Sequence, residues 1–312
     1  MKDVAQRAGV SQTTVSFVFN DVADANIAQE TKDRVMEAVR ELGYRPNAAA
    51  RNLRSQRTHT IGLISDDIAT TPFAGQMIQG AQDEAWAHNL LILLINTGTN
   101  KRMKRNAAEA LLERQVDGIL YATMYHREVH PPPAIYEVPT VLVDCFVSNR
   151  SLPSVTPEEA NSAHIATELL IERGHRRIGM LNNIDPIPAT VGRFEGFRRA
   201  LATHQLNVDE SLVVTGSSDQ GGGYTAAMQL LVREDRPSAI FCFNDRMAMG
   251  AYQAAAELGL AIPKDLAVIG FDNQDTVAPW LRPALTTMQL PHYEMGRWAT
   301  HHLLTLIGDP QW

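Results

Sequence analysis

Apolar residues in the first forty-five positions recur at helical spacing. Val4, Ala5, Ala8, Val10, Val15 and Val18 fall on facing sides of two helices of about eight residues each, separated by a Gly-Val-Ser turn. Gly9 permits the positive φ of a tight turn, Ala5 is small where the second helix approaches, and Ser11 can cap the helix that follows. A third helix is predicted from Gln29 to Leu42, with Val35, Met36, Val39 and Leu42 as its buried stripe and Gly43 as its stop. Helices this short are unstable alone, so the three must share one core.

From His59 onward the period changes. HTIGLIS, LLILLIN, VDGILYA, TVLVDC, RRIGML, LVVTG, AIFCFN and LAVIGFD are apolar runs separated by amphipathic helical stretches. Strands apolar on both faces and alternating with helices predict parallel sheets covered on both sides. Eight such runs exceed one small unit, and the Ser- and Pro-containing stretch from Ser148 to Pro157 reads as a crossover between two α/β lobes. A last strand at LTTMQLP and a helix from His292 to Ile307 are expected to return to the first lobe. The predicted division is a helical head over 1–45, a linker over 46–57, one lobe from 58–155 with 285–312, and a second lobe over 156–284.

Charge sharpens the reading of the head. The whole chain carries −7. Residues 1–57 hold nine Lys and Arg against seven Asp and Glu, a net of +2, which leaves −9 for the rest. Arg45 to Arg57, RPNAAARNLRSQR, has four arginines and no acid. Such a segment suits phosphate neutralisation with counterion release, while an acidic body avoids DNA. Two short helices around a tight turn form a helix-turn-helix, whose second helix lies in the major groove. That helix would turn Gln12, Thr13, Ser16 and Phe17 toward bases and phosphates, flanked by Ser11, Thr14 and Asn20. Gln can bond adenine in a bidentate way, and Thr or Phe can touch a thymine methyl. Pro46 can start a further helix through Asn47, Ala50, Arg51, Leu53 and Arg54, too short to stand alone in water and expected to order on DNA. The competing picture, a helical cap on an α/β protein with a solvated linker, is weakened by the adjacency of these two segments.

With DVAQRAGVSQTTVSFVFN, then RPNAAARNLR, then THTIGLI in order, the chain resembles repressors of the lactose-repressor and galactose-repressor (LacI/GalR) family. The resemblance extends through GHRRIG, FNDRMAMGA and VIGFDN. It implies an all-α helix-turn-helix head joined to two doubly wound parallel-sheet lobes like those of a type I periplasmic sugar-binding protein, with a ligand cleft at the C-terminal ends of the strands. It also implies that hinge helices from two subunits pair in the minor groove and insert a leucine each, a role that falls to Leu53. A further strand after the helix that ends near Gly308 is another implication. Phe17 stands where several members place Arg or His, so an operator cannot be borrowed from a relative.

Polar residues at strand ends are the candidate effector contacts: Asp66, Asp144, Asn244 and Asp272, with Arg193 as the donor able to bridge two oxygens and Phe73 as a ring face. The family's matching Arg and the Asp of VIGFD hold the effector, which points to Arg193 and Asp272. Strand-end Asp and Asn also cap helices, so Asn244 and Asp245 are left open between capping and binding. Purine-responsive members carry Arg and Thr where Ile187 and Ala189 stand. Others carry an aromatic where Ser217, Ser218 and Asp219 precede Gly223 and Tyr224. Hydroxyl-rich, sugar-like effectors are therefore favoured.

Other features add little. Gly221 to Gly223 lack the GK[ST] of a phosphate loop. His301 and His302 lack metal-ligand spacing and read as solvated helix residues, and Trp280 and Leu281 as subunit-interface residues. With two cysteines, Cys145 and Cys242, both in predicted buried strands, there is no disulfide framework. No stretch of eighteen apolar residues spans a membrane, and no leader peptide opens the chain, so the reading is cytoplasmic. No Ser-His-Asp order or paired carboxylate supports an enzyme, and no cofactor is expected. The expected partners are double-stranded operator DNA, a small sugar-like effector and a second copy of the chain, with a tetramer left open. A solute carrier for transport is disfavoured by the helix-turn-helix.

Overall fold

The computed structural model describes residues 1–19, 25–44, 57–68, 71 and 75–309. The chain divides into two compact units, Met1–Thr58 and His59–Trp312.

In the first unit, α1 (Lys2–Ala8), α2 (Gln12–Phe19) and α3 (Gln29–Glu41) close over Val4, Ala5, Ala8, Val15, Val35 and Ala38. Gly9 adopts φ 66° between α1 and α2, the left-handed conformation that a side chain would strain. Ser11 Oγ accepts the Thr14 amide at 3.0 Å and so caps α2. The α3 stripe differs from the periodicity-based expectation. Val35 and Ala38 are buried and Val39 packs beside them, whereas Met36 is 43% and Leu42 47% exposed. Two short helices cover a stripe of only about one residue per turn. Met36 lies roughly 100° around the helix from Val35, and Leu42 is already the C-cap.

The second unit contains two parallel sheets. In the first lobe β1 (Thr60–Ser65), β2 (Leu91–Asn96), β3 (Gly118–Glu128), β4 (Thr140–Phe146) and β5 (Ser154–Val155) take the order β2-β1-β3-β4-β5. One face is covered by α4 (Gly75–Ala87) and α10 (His292–Gly308), and the other by α5 (Lys101–Glu113). In the second lobe β6 (Ile178–Asn183), β7 (Val213–Gly216), β8 (Ala239–Cys242), β9 (Ala267–Asp272) and β10 (Thr286–Gln289) take the order β10-β9-β8-β6-β7. Here α6 (Glu159–Glu172) and α7 (Pro188–Thr203) cover one face, and α8 (Gln220–Leu231) and α9 (Asp245–Glu257) the other. Alternate residues of β8 explain its all-apolar sequence: Ala239 and Phe241 enter one core, Ile240 and Cys242 the other. Both cysteines are buried and unbonded.

Three features depart from the pattern-based expectation. β3 continues past Ala122 to Glu128 through a register shift between Ala122 and Arg127, carrying a polar MYHRE segment that does not read as buried strand. β2 is an edge strand, so Leu91, Leu93 and Leu94 of its apolar run are 55%, 36% and 40% exposed. The last strand, β10, belongs to the second lobe. It pairs in parallel with β9 from Thr286↔Ile269 to Gln289↔Asp272, so the return to the first lobe falls after Gln289. A side-chain tie reinforces the pairing: Thr287 Oγ1 donates to Asp245 Oδ1 at 2.5 Å, and the Gln274 amide donates to Asp245 Oδ2 at 2.6 Å.

Burial pushes the Asp245 carboxyl from an ordinary 3.8 up to about 7, against the lowering effect of the Thr287 and Gln274 hydrogen bonds. The folded state therefore binds a proton there more tightly than the unfolded state, and this contribution to stability declines as pH rises from about 4 to about 7. Melting curves of Asp245→Asn should show a weaker fall in Tm over that interval than the parent chain; parallel curves would contradict the assignment.

Candidate functional site

Both sheets have the order 2-1-3-4-5 when their strands are counted in chain order, and each reverses direction of winding beside its first strand. Open parallel sheets of this kind collect ligands outside the carboxyl ends of their strands at that reversal. A cavity of about 510 Å³ lies there, between the lobes. It falls within the range of roughly 300–1,000 Å³ typical of small-molecule sites.

The second lobe supplies its charged floor. Arg193 on α7 is buried, and its Nε donates to Glu159 Oε2 at 2.7 Å and its Nη2 to Glu159 Oε1 at 3.5 Å. Nη1 donates to the Phe243 carbonyl and lies 3.4 Å from Asp272 Oδ1. The guanidinium is packed between rings, 3.8 Å from the Phe271 centroid and 4.4 Å from that of Phe243. Burial opposes its charge, but Glu159 and Asp272 outweigh burial and hold its pKa above the ordinary value. Asp272 also accepts Gln274 Nε2 at 2.9 Å, and burial raises its carboxyl despite Arg193.

The first lobe contributes Asp144 at the end of β4 and Tyr125 and His126 on the extension of β3. Burial, and then the neighbouring Glu159 charge, push the Asp144 carboxyl well up. Burial lowers His126, which favours the neutral ring. Asp144 and Asp272 both hold positive φ, 55° and 101°. Non-glycine residues in such conformations cost roughly 1–3 kcal/mol each and concentrate at functional sites. Among the described residues, five buried side-chain atoms lack a hydrogen-bond partner, and three belong to cavity-lining residues: His126 Nδ1, Asp144 Oδ1 and Arg246 Nε.

Of the expected effector contacts, Asp144, Arg193, Asn244 and Asp272 line this cavity. Asn244 acts as the N-cap of α9, its Oδ1 accepting the Met247 amide at 2.8 Å and its Nδ2 donating to the Ser218 carbonyl at 3.0 Å, and the residue borders the cavity. Asp66 does not line it. Its carboxylate is consumed by the amides of Asp67 at 2.6 Å and Met124 at 3.0 Å and by the Arg127 guanidinium, so it ties the end of β1 to the β3 extension. Phe73 lies outside the described residues. Ile187 and Ala189 line the cavity with apolar side chains and offer no donor there. Sequence reasoning missed Tyr125, His126, Glu159, Asn183, Asp185 and Arg246. Arg246 had a signal, since it directly follows the Asn244–Asp245 pair at a helix start.

In the head, Gln12 and Thr13 are exposed, Ser16 and Phe17 are half-buried, and only Val15 of α2 is buried. Ser11 is exposed and Thr14 half-buried. Asn20, Asn47, Ala50, Arg51, Leu53 and Arg54 lie outside the described residues, as does the expected hinge helix.

Residues 1–47 match the family described as bacterial regulatory proteins, lacI family, and residues 58–311 match the periplasmic binding proteins and sugar binding domain of the LacI family. The chain belongs to the LacI family. Relatives of this LacI-family chain include the HTH-type transcriptional repressor PurR of Vibrio atlanticus, 36% identical over 313 residues that cover 99% of this chain and 92% of the relative. The Ribose operon repressor of Escherichia coli is also 36% identical, over 317 residues covering 99% and 93%. A solved structure of a putative LacI-family transcriptional regulator from Rhizobium etli superposes with a TM-score of 0.76 at 36% identity, covering 81% of this chain and 92% of that one. The chain is thus a DNA-binding transcriptional regulator from a family of regulators, not an enzyme. The two named relatives stand at equal identity, so overall likeness does not select an effector; the cavity must.

Removing Arg193 leaves Glu159 and Asp272 buried against one another. Arg193→Met should destabilise the body by about 3–5 kcal/mol, the cost of breaking a buried ion pair from one side. Urea denaturation would measure it, and a loss under 1 kcal/mol would mean that the carboxylates do not depend on this cation.

Proposed function

We propose that this LacI-family chain is a cytoplasmic repressor, a homodimer on a two-fold operator, controlled by a neutral polyhydroxylated effector of the sugar class in the cavity between its lobes. The observation that carries the effector assignment is the set of unpartnered buried atoms on His126, Asp144 and Arg246 beside a carboxylate-rich floor. One buried guanidinium, Arg193, faces Glu159, Asp144 and Asp272. With four carboxyl groups, Asp144, Glu159, Asp185 and Asp272, against two guanidiniums, Arg193 and Arg246, such a cavity accepts hydrogen bonds from hydroxyls and favours a neutral ligand over a phosphate. The Ribose operon repressor among the relatives fits a sugar effector, and the apolar Ile187 and Ala189 favour no planar base.

Repression follows from coupling. An effector that binds one arrangement of the lobes more tightly shifts the population toward it, and the free energy that links effector to operator binding acts equally in both directions. The exposed Leu91, Leu93 and Leu94 on edge strand β2 support the second copy as partner, since a row of exposed leucines marks a contact surface. Gln12, Thr13, Ser16 and Phe17 of α2, with Ser11, Thr14 and Asn20 around them, are the proposed major-groove readers. Asn47, Ala50, Arg51, Leu53 and Arg54 are the proposed hinge contacts.

A thermal-shift screen of neutral pentoses, hexoses and disaccharides should find one that raises Tm with increasing concentration, while the matching sugar phosphates do not. Asp144→Asn should weaken that sugar at least tenfold; tighter binding of the phosphorylated forms would refute the neutral-ligand assignment.

For the DNA side, an operator selected from random duplexes with the full chain should be footprinted as two half-sites about one or more helical turns apart. Deleting residues 1–57 should abolish the footprint and leave sugar affinity within about twofold. A truncated chain that still protects the operator would overturn the assignment of the head.

A further inference from the structure

We infer that α4 and α10 together form a site for one divalent transition-metal ion of the Zn²⁺ class, held by Glu84, His88 and His301. His301 is a solvated helix residue, as its sequence suggests, but its spacing to His302 gives no hint of a ligand set. The fold instead brings it to two side chains more than two hundred positions earlier. Glu84 lies on α4, with His88 one turn on, just beyond the helix end, and His301 projects from α10.

The scaffold is a close helix pair. A Cβ on Gly80 would stand 2.0 Å from the Tyr293 carbonyl oxygen, and one on Gly296 would stand 2.0 Å from that of Met77, so the two backbones touch and only glycine allows the helices to approach this closely. Above this contact His301 Nδ1 lies 3.1 Å and His88 Nε2 3.5 Å from the same oxygen, Glu84 Oε1. The ligand atoms of all three residues fall within 4.8 Å of one another. A tetrahedral Zn²⁺ with nitrogen and oxygen ligands at about 2.0–2.2 Å spaces its donors roughly 3.3 Å apart, so small rotamer adjustments around the observed positions suffice. The other carboxylate oxygen, Oε2, accepts Arg297 Nε at 3.3 Å. That hydrogen bond is the kind of outer support that fixes a ligating carboxylate, and it leaves Oε1 facing both imidazoles.

Histidines flanking a carboxylate do not by themselves make this arrangement. His164 and His204 lie 3.3 and 3.5 Å from Glu168 Oε1. Among the described residues, only the Glu84 group brings three such ligand atoms within 4.8 Å of one another. Two imidazoles and one carboxylate suit Zn²⁺, and the fourth position falls to water. A metal there would staple α10 to α4, and the site lies apart from the effector cavity.

Calorimetric titration of metal-stripped full-length protein with ZnCl₂ tests the site. One saturable Zn²⁺ per chain is expected, weakened at least tenfold by His88→Ala and by His301→Ala and changed less than twofold by Glu168→Gln. Both histidines are at least half exposed at the side chain, so their variants should fold, which circular dichroism would verify. Absence of saturable binding by the parent chain, or equal affinity in the His301→Ala variant, would overturn the inference. A tenfold loss in Glu168→Gln with none in His301→Ala would overturn it in favour of the other cluster.

Discussion

The buried Arg193 is the constraint on which the rest of the body depends. A guanidinium removed from water is costly unless carboxylates and carbonyls replace its hydration, and here Glu159, Asp272 and the Phe243 carbonyl do so from three separate segments. That requirement fixes the start of α6 against α7, and α7 against the ends of β8 and β9. It also leaves an imbalance. Asp144 from the opposite lobe adds a third carboxylate to one buried cation, and its Oδ1 has no partner. The hydrogen bonding of that carboxyl group is incomplete in the ligand-free protein, so a hydroxyl that enters the cavity supplies what the protein lacks.

Two sheets with the same strand order make this meeting possible. In a parallel sheet every strand delivers its C-terminal residue to the same edge, so β4 and the β3 extension present Asp144 and His126 where β8 and β9 present Asn244 and Asp272. The strained backbone at Asp144 and Asp272 is the local cost of turning those side chains out of the sheet. Asp66 illustrates the alternative fate of a strand-end acid: its lone pairs are taken by backbone amides and Arg127, and it serves the β3 extension rather than the cavity.

The three-helix head was legible because Val4, Ala5, Ala8 and Val15 have no role except burial, and the positive φ at Gly9 leaves glycine as the natural choice there. The apolar strands were legible for the same reason. The rest required distance information. The MYHRE segment beyond Ala122 is half polar because it borders a cavity, so it does not resemble the strand it continues. β10 was assigned to the wrong lobe because a short TTMQ run carries no mark of its neighbour, which only the pairing to β9 and the Thr287–Asp245 bond decide. Glu84, His88 and His301 converge through a helix contact made by Gly80 and Gly296, and glycines do not announce their partners. Strand-end position told which polar residues could reach the cavity, but not which of them had already been claimed by backbone donors.

Communication between the lobes has a physical route on the proposed reading. The chain passes from the first lobe to the second after β5, and back again after β10. Pro157 on the first crossing, and Leu290 and His292 around the second, all line the cavity. A ligand held by Asp144 on one side and Arg193 and Asp272 on the other therefore contacts the segments about which the lobes must turn. Its leverage is bounded: moving a two-state balance from 1:99 to 99:1 needs about 5.5 kcal/mol of differential affinity. An ordinary hydrogen bond contributes about 0.5–1.5 kcal/mol, and one to a charged partner such as Arg246 about 1.5–3 kcal/mol. Three that form in only one arrangement approach that figure at the upper end of the range, and His126, Asp144 and Arg246 hold the atoms still waiting for them. The switch thus needs no long relay within the body, because the unmet hydrogen bonds and the crossings bound the same cavity.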